Sequence, residues 1–243
     1  RIDFSTWIDW KEDETLLKVE FPVQIHADQA SFDIQFGNIT RPTHWNTSWD
    51  WARFEVCAHK WADLSEEGYG VSLLNDCKYG YDIRGQVMRL TLLKSGNNPN
   101  PHADREEHRF TYALLPHQGT WRQADTVRQA YSLNVPLIAR FLGQSQPGSL
   151  PAQSSLFKVD ADHVVLETVK QAEDGRGLVV RLYEYKNRRG PVTLHCAWPI
   201  SQVEACNLLE EPCDERVEQP DDRQIGFAIK PYEIKSLRIV FST

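Results

Sequence analysis

The sequence predicts an all-β protein, with a large antiparallel β-supersandwich that carries one short helix, followed by a smaller β-sandwich. In many short runs, apolar side chains recur at every second position, which is the period of a half-buried strand. Clusters of Gly, Asn, Pro and Asp separate these runs, as the turns of an antiparallel sheet do. The 243 residues are enough for two domains of this kind.

The first half of the chain contains the clearest strand patterns. In LLKVEFPVQI, residues 16–25, the odd-numbered side chains are apolar and share one face, and Pro22 indicates an edge strand or a bulge. In residues 52–58, the alternation of Ala52, Phe54, Val56 and Ala58 predicts a strand that faces the core. Further strands are predicted over residues 30–36, 71–74, 88–93 and 110–114.

A helix and a linker interrupt the strands. Residues 122–133 place Ala124, Val127 and Tyr131 at helical spacing, and Thr120 is positioned to cap the helix. The run GQSQPGSLPAQSS, residues 143–155, has the composition of a linker. Strand patterns resume over residues 164–169, 178–185, 192–198, 227–229 and 233–241. We therefore expect two β domains, residues 1–145 and 146–243.

Composition limits the classes of partner. The formal net charge is −7 and no Lys/Arg cluster occurs, so we expect no nucleic-acid binding. No apolar run approaches the ~18–20 residues that span a bilayer, so we expect no membrane insertion. The five cysteines are odd in number and form no CxxC pair, which indicates reduced thiols in a cytoplasmic protein. The chain begins at Arg1 without an initiator methionine, and we expect it to be a piece of a longer protein.

No motif in the sequence assembles a catalytic centre. His102, Asp104 and His108 lie in a loop, for which a solvated polar surface is favoured over a cation site. Cys57 and His59 are two residues apart on a predicted strand, and that spacing does not form a triad. Glycoside hydrolysis needs two carboxylates at a set distance, which sequence spacing cannot establish. The candidates are Asp50, Asp63, Asp76 and Asp82.

Aromatic residues are the strongest chemical signal. Six of the eight tryptophans fall within the first 61 residues. Flat aromatic rings pack against the C–H faces of sugars, and neighbouring polar groups bind the hydroxyls. Trp45, Trp49, His44, Asn46 and Asp50 supply both kinds of group. Tryptophans that fill a large β core are an equally good interpretation of Trp45 and Trp49.

Several motifs together resemble a known family. They are the run FGNITRPTHWNTSWDWARFEVCAHKWADLSEEGYGVSLLNDCKYGYD, then MRLTLLKS, HRFTYALLPH and SLNVPL. In this order they resemble the C-terminal β region of glycoside hydrolase family 38 α-mannosidases, most of all the cytosolic-type and bacterial branch. The resemblance is dense over residues 1–140 and thinner over residues 146–243.

The resemblance implies a function and places its chemistry elsewhere. Family 38 enzymes are retaining, zinc-dependent α-mannosidases that act on α-mannosides or oligomannose. Their catalytic carboxylates and zinc ligands lie in the N-terminal catalytic domain and the helical bundle, so we expect no catalytic residue, no metal ligand and no hydrolysis in this chain alone. The expected partners are that catalytic domain, that bundle and the α-mannoside substrate, and a homo-oligomer remains open.

The resemblance also suggests which residues reach the sugar. In the motif NDCKYGYD, the candidate substrate-binding residues follow a strand end, where functional loops often lie. They are Asn75, Asp76, Lys78, Tyr79 and Tyr81. The motif RPTHWNTS is the second candidate, with His44, Asn46 and Trp49. An interdomain interface without sugar contact is the open alternative for these motifs. For the whole chain, the alternative function is a free-standing carbohydrate-binding module.

Overall fold

The computed structural model describes residues 1–143, 148–149 and 151–242. The chain divides into two compact units, Arg1–Arg140 and Phe141–Thr243. Each unit is built from two antiparallel sheets, which confirms the predicted all-β class. The domain boundary predicted between residues 145 and 146, and part of the predicted linker, lie outside the described residues.

The first unit contains ten strands and two helices. They are β1 (Ile2–Asp9), β2 (Thr15–Pro22), β3 (Gln29–Ile34), β4 (Gly37–Pro42), α1 (Ser48–Ala52), β5 (Val56–Cys57), β6 (Trp61–Ser65), β7 (Tyr69–Asn75), β8 (Gly80–Arg84), β9 (Val87–Ser95), β10 (Glu107–Gln118) and α2 (Thr126–Asn134). A six-stranded sheet has the order β1-β10-β7-β6-β3-β4, and a four-stranded sheet has the order β2-β9-β8-β5. The edge position of β2 agrees with its proline at residue 22.

The core of this unit lies between the two sheets. Phe32, Leu64 and Leu73 come from the six-stranded sheet, and Met88 and Leu90 come from the other; all five are at most 2% exposed. Burial of each such side chain stabilises the fold by ~1.5–3 kcal/mol relative to its exposed state. The alternating apolar residues in the sequence therefore form the inner faces of the sandwich, as their period predicts.

Helix α2 covers part of the outer face of the six-stranded sheet. It contacts β6 and β7, and Val127 and Ala130 are buried beneath it. Beside the helix, the rings of Trp61 and Trp121 lie with centroids 4.9 Å apart, and the Trp121 indole N–H donates to Ser31 Oγ at 2.9 Å. Two tryptophans are thus core residues of a second layer, with an indole N–H satisfied locally.

Two local predictions are wrong. The strand over residues 52–58 is replaced by helix α1, a turn and the two-residue strand β5, and the Phe54 side chain is 62% exposed. The single predicted helix begins at Thr126, because residues 120–124 form a turn in which Ala124 N–H donates to Thr120 O at 3.0 Å. The first unit therefore has two helices.

The second unit is a smaller sandwich of two four-stranded sheets. Its strands are β11 (Phe157–Val159), β12 (Val164–Gln171), β13 (Leu178–Glu184), β14 (Gly190–Cys196), β15 (Ile200–Cys206), β16 (Glu218–Asp221), β17 (Gln224–Ile229) and β18 (Ile234–Phe241). The sheet orders are β11-β14-β17-β16 and β12-β13-β18-β15. Leu182 and Leu237 from one sheet meet Leu194 and Ile225 from the other, all fully buried.

Candidate functional site

The RPTHWNTS motif leads into helix α1 through a capping box. Asp50 N–H donates to Thr47 Oγ1 at 3.2 Å, and Asp50 Oδ2 accepts from Thr47 N–H at 3.1 Å and from Asn46 N–H at 3.2 Å. These reciprocal bonds satisfy amides that a helix start leaves free. Hydrogen bonds from the Arg53 guanidinium, then from the Thr47 hydroxyl, lower the pKa of Asp50 to about 2.

The aromatic residues around α1 are mostly exposed. The Arg84 guanidinium lies 3.2 Å from the centroid of the Trp45 ring, and the Trp51 ring meets Trp45 edge-on at 4.7 Å. His44 and Asn46 are exposed, and Trp49 is 77% exposed. Trp45 is therefore held between two neighbours, whereas Trp49 presents its ring to a partner or to solvent.

A small pocket beside α1 joins the two predicted motifs. His44 and Trp45 line it together with Tyr81 and Asp82, whereas Asn46 and Trp49 do not. Its volume of about 30 Å³ suits a single water molecule and excludes a sugar ring. The structure thus brings part of RPTHWNTS against part of NDCKYGYD without forming a sugar pocket there.

Within NDCKYGYD, Asn75 and Tyr81 are interior residues. Asn75 is 1% exposed; its side-chain oxygen accepts from the backbone N–H groups of Cys77 and Lys78, and its amide donates to His59 O and Tyr81 Oη. Tyr81 is fully buried in the core, and this burial raises the pKa of its hydroxyl. Both residues hold the turn from beneath, and neither offers surface to a ligand in this structure.

The other three members of the motif reach the surface. Asp76 Oδ2 accepts from Thr111 N–H at 2.9 Å, and Lys78 Nζ lies 4.3 Å from the Phe110 ring centroid. Tyr79 is 54% exposed, and the edge of its ring meets His59 at 5.3 Å. Substrate binding by the eight predicted residues stays a prediction, and Asp76, Lys78 and Tyr79 are the members of this motif that are not fully buried.

A cluster that the sequence did not reveal lies under α2. Asp63 Oδ2 accepts from Ser72 Oγ at 2.7 Å and lies 2.8 Å from His117 Nε2, and Ser72 Oγ lies 2.9 Å from Thr126 Oγ1. Burial lowers the pKa of His117, but the hydrogen bond and charge of Asp63 outweigh it and the pKa is raised. The set resembles a hydrolytic triad, yet Ser72 is 0% exposed. No substrate reaches it, and the cluster joins the helix to the sheet.

The remaining acidic candidates, Asp50 and Asp82, are largely buried and engaged in ion pairs. Asp82 lies 3.4 Å from Lys18 Nζ and 3.3 Å from Arg84 Nε, and Asp50 lies 2.8 Å from Arg53. His108 Nε2 is 2.8 Å from the Asp104 carbonyl oxygen. Across residues 1–143 and 151–242, no three His, Cys, Asp or Glu side chains gather as metal ligands. The donor set for a zinc site is therefore not found in the described part of this chain.

None of the helices described here is long and apolar enough to cross a bilayer. The five cysteines are free. Burial raises the pKa of the Cys196 thiol to about 11, and burial together with Asp76 raises that of Cys77 to about 11. These two groups are neutral thiols at ordinary pH, which does not suit a nucleophile.

Comparisons with known sequences connect both units to one family. The glycosyl hydrolases family 38 C-terminal domain matches residues 1–102, and the glycosyl hydrolases family 38 C-terminal beta sandwich domain matches residues 163–237. The chain is 46% identical over 243 residues to Alpha-mannosidase 2C1 of Homo sapiens, 40% over 249 residues to Alpha-mannosidase G of Dictyostelium discoideum and 35% over 266 residues to Alpha-mannosidase of Saccharomyces cerevisiae.

These alignments cover 98–99% of this chain but only 22–24% of the three relatives. The chain therefore spans about a quarter of their length. Among solved structures, an alpha-mannosidase from Enterococcus faecalis V583 has the same fold, with a TM-score of 0.81 at 23% identity over 97% of this chain and 27% of that one. The two family matches fall one in each unit and together cover more than half of the sequence. The chain belongs to glycoside hydrolase family 38, as its C-terminal β region.

Proposed function

We propose that this chain is the non-catalytic C-terminal region of a retaining, zinc-dependent α-mannosidase that hydrolyses α-mannosides and oligomannose. The observation that carries the proposal is similarity at 35–46% identity, along nearly the whole chain, to three proteins named as α-mannosidases. In this proposal the catalytic carboxylates and the zinc ligands belong to the rest of the enzyme.

The surface of the first unit supports a role as a partner of a catalytic domain. Trp49, Trp51 and Phe54 are each more than 60% exposed and lie within six residues of sequence. Exposed aromatic groups this close together are typical of an interaction surface. In our proposal this surface packs against the catalytic domain and its helical bundle, and Asp76, Lys78 and Tyr79 line the rim of the sugar site. The free thiols support a cytoplasmic enzyme.

A chimaera tests the proposal. The corresponding C-terminal quarter of the human relative would be replaced by this chain, and hydrolysis of an aryl α-mannoside would be measured with zinc added. We expect the chimaera to hydrolyse the substrate, and we expect neither the truncated relative nor this chain alone to do so. Turnover by the chain alone at a similar rate, or full activity of the truncated relative, would contradict the proposal.

The alternative is a free-standing carbohydrate-binding module. One observation favours it: an open pocket on the outer face of the six-stranded sheet carries an exposed tryptophan, an aspartate and an arginine. A module of that kind binds sugar without a catalytic partner. It predicts that the truncated relative and the chimaera hydrolyse the substrate equally well, so the same assay separates the two functions.

A further inference from the structure

One pocket of the first unit is large enough for a sugar ring. It lies on the outer face of the six-stranded sheet, where the edge strand β1 pairs with β10, and has a volume of about 270 Å³. That is near the lower end of the ~300–1,000 Å³ typical of small-molecule sites. Its lining residues are Ser5, Thr6, Trp7, Asp76, Arg109, Phe110 and Thr111.

Trp7 supplies a flat apolar wall. It is 56% exposed and lies directly opposite Arg109 in the β1–β10 register. Its indole N–H donates to Glu107 Oε2 at 3.3 Å, which fixes the orientation of the ring. An exposed tryptophan held in one orientation loses little conformational freedom when a ligand packs on its face.

Asp76 supplies a hydrogen-bond acceptor. Its Oδ2 atom accepts from Thr111 N–H at 2.9 Å, and its own N–H donates to Thr111 O at 3.1 Å, so the residue is fixed to β10. The Oδ1 atom is buried and makes no hydrogen bond of normal geometry with any described residue. The neighbouring Cys77 thiol is only a weak donor. The Asp76 side chain lines the pocket, and a carboxylate accepts up to about four hydrogen bonds, so a hydroxyl group bound there can donate to it.

Arg109 supplies donors. It is exposed, and its guanidinium has neither a hydrogen-bond nor an ion-pair partner in the described part of the chain. Its planar group donates to two adjacent oxygens at once. With Asp76 it offers both halves of the hydrogen bonding that a pair of adjacent hydroxyl groups requires.

We propose that this pocket binds one ring of a mannose-containing oligosaccharide. The C–H face of the ring packs on Trp7, one hydroxyl donates to the Asp76 carboxylate, and an adjacent hydroxyl oxygen accepts from Arg109. The choice of mannose rests on the proposed function; the choice of a polyhydroxylated ring rests on the three side chains. Nothing in the lining matches a phosphate or carboxylate ligand better, because the Asp76 carboxylate would repel it.

The test is a titration of the 243-residue chain with methyl α-mannoside and with an α-linked mannobiose, followed by calorimetry and by NMR shifts of the tryptophan side chains. We expect a dissociation constant in the millimolar range. Trp7→Ala and Arg109→Ala should each weaken binding about tenfold, as expected for loss of a stacked ring or a charged hydrogen-bond donor. Trp198→Ala removes a tryptophan of similar exposure (57%) in the second unit, and binding should change less than about twofold.

Absence of binding by the native chain at about 50 mM ligand would overturn the proposal, and so would variants Trp7→Ala and Arg109→Ala that bind as tightly as the native chain. Equal affinity for methyl α-galactoside would overturn the choice of mannose. Arg109 is an exposed side chain without a partner, so the Arg109→Ala variant should fold normally. It keeps the test decisive even where Trp7→Ala does not fold. A chimaera that fails to hydrolyse while the chain still binds the sugar contradicts the proposed function and leaves this pocket intact.

Discussion

In the first unit, Asp63 is 1% exposed and its partner His117 is 6% exposed, so both members of the ion pair lie under helix α2. In the second unit, the Lys235 side chain is also only 6% exposed, but its partners Glu215 and Glu233 are 46% and 21% exposed. The first arrangement withdraws the anion from water, and the second lets water reach both anions. The same kind of contact should therefore contribute very differently to stability in the two units.

Removing the cation from each pair gives the largest expected contrast. His117→Ala leaves Asp63 buried with only hydroxyl donors, and we expect a loss of about 3–5 kcal/mol in the free energy of unfolding of the first unit. Lys235→Met leaves carboxylates that are already solvated, and we expect a loss below about 1 kcal/mol in the second unit. Urea unfolding followed by peptide-level hydrogen exchange separates the units. Equal losses in the two variants would contradict the comparison.

The second unit is expected to be sensitive to substitution of a glycine in its β12–β13 turn. Gly177 and Gly175 lie in the β12–β13 turn with φ of 86° and 76°. A Cβ atom at Gly177 would collide with the Ile239 backbone oxygen, whereas one at Gly175 would meet nothing within 4 Å. We expect Gly177→Ala to lower the free energy of unfolding by about 3 kcal/mol and Gly175→Ala to lower it by about 1 kcal/mol. Both substitutions strain the backbone, but only Gly177→Ala adds a steric clash.

The matched glycines make this measurement specific. Hydrogen exchange at β12, β13 and β18 should accelerate in Gly177→Ala, because Ile239 belongs to β18. Exchange in the first unit should not change. Equal destabilisation by the two substitutions would show that backbone strain alone determines the loss of stability, and that the close approach of β18 to Gly177 does not contribute.

The smallest expected effect is a pH dependence confined to the first unit. The folded-state pKa of His117 is raised above its ordinary value of 6.5, so protonation favours the folded state. This contribution is fully present below about pH 6.5 and is lost as the pH rises through the folded-state pKa. Unfolding free energy measured from about pH 5.5 to 8.5 should therefore fall more steeply in the native chain than in His117→Gln. Parallel curves would contradict the prediction.

The success of the sequence prediction depended on the environment of each strand. Strands with one buried and one solvated face, such as β2 and β9, show the alternation that predicts them. Strand β6 was not predicted, because Trp61, Ala62, Asp63 and Leu64 are all buried and no polar face remains. A polar residue such as Asp63 in the interior cannot be recognised from its own type, because its burial depends on His117, 54 positions away.

Helix α1 shows a competition between two signals. The alternation of Ala52 and Phe54 predicted a strand, while Thr47 and Asp50 form the Thr-x-x-Asp pattern of a capping box. The cap decides the local structure because it satisfies several amides with adjacent residues. Tyr79 and Tyr81 show a limit of a different kind. They are two positions apart, yet one is exposed and the other is fully buried, because Tyr79 precedes strand β8.

Strand β10 has a consequence for which length changes this unit can accept. Its odd-numbered residues Arg109, Thr111 and His117 lie on the outer face, whereas Phe110 and Tyr112 contact the core. Inserting or deleting one residue within the strand would exchange the two faces beyond that point. The preceding loop, residues 96–106, should accept such changes at little cost. Related sequences should therefore vary in length before Glu107 and keep a constant count from Arg109 to His117.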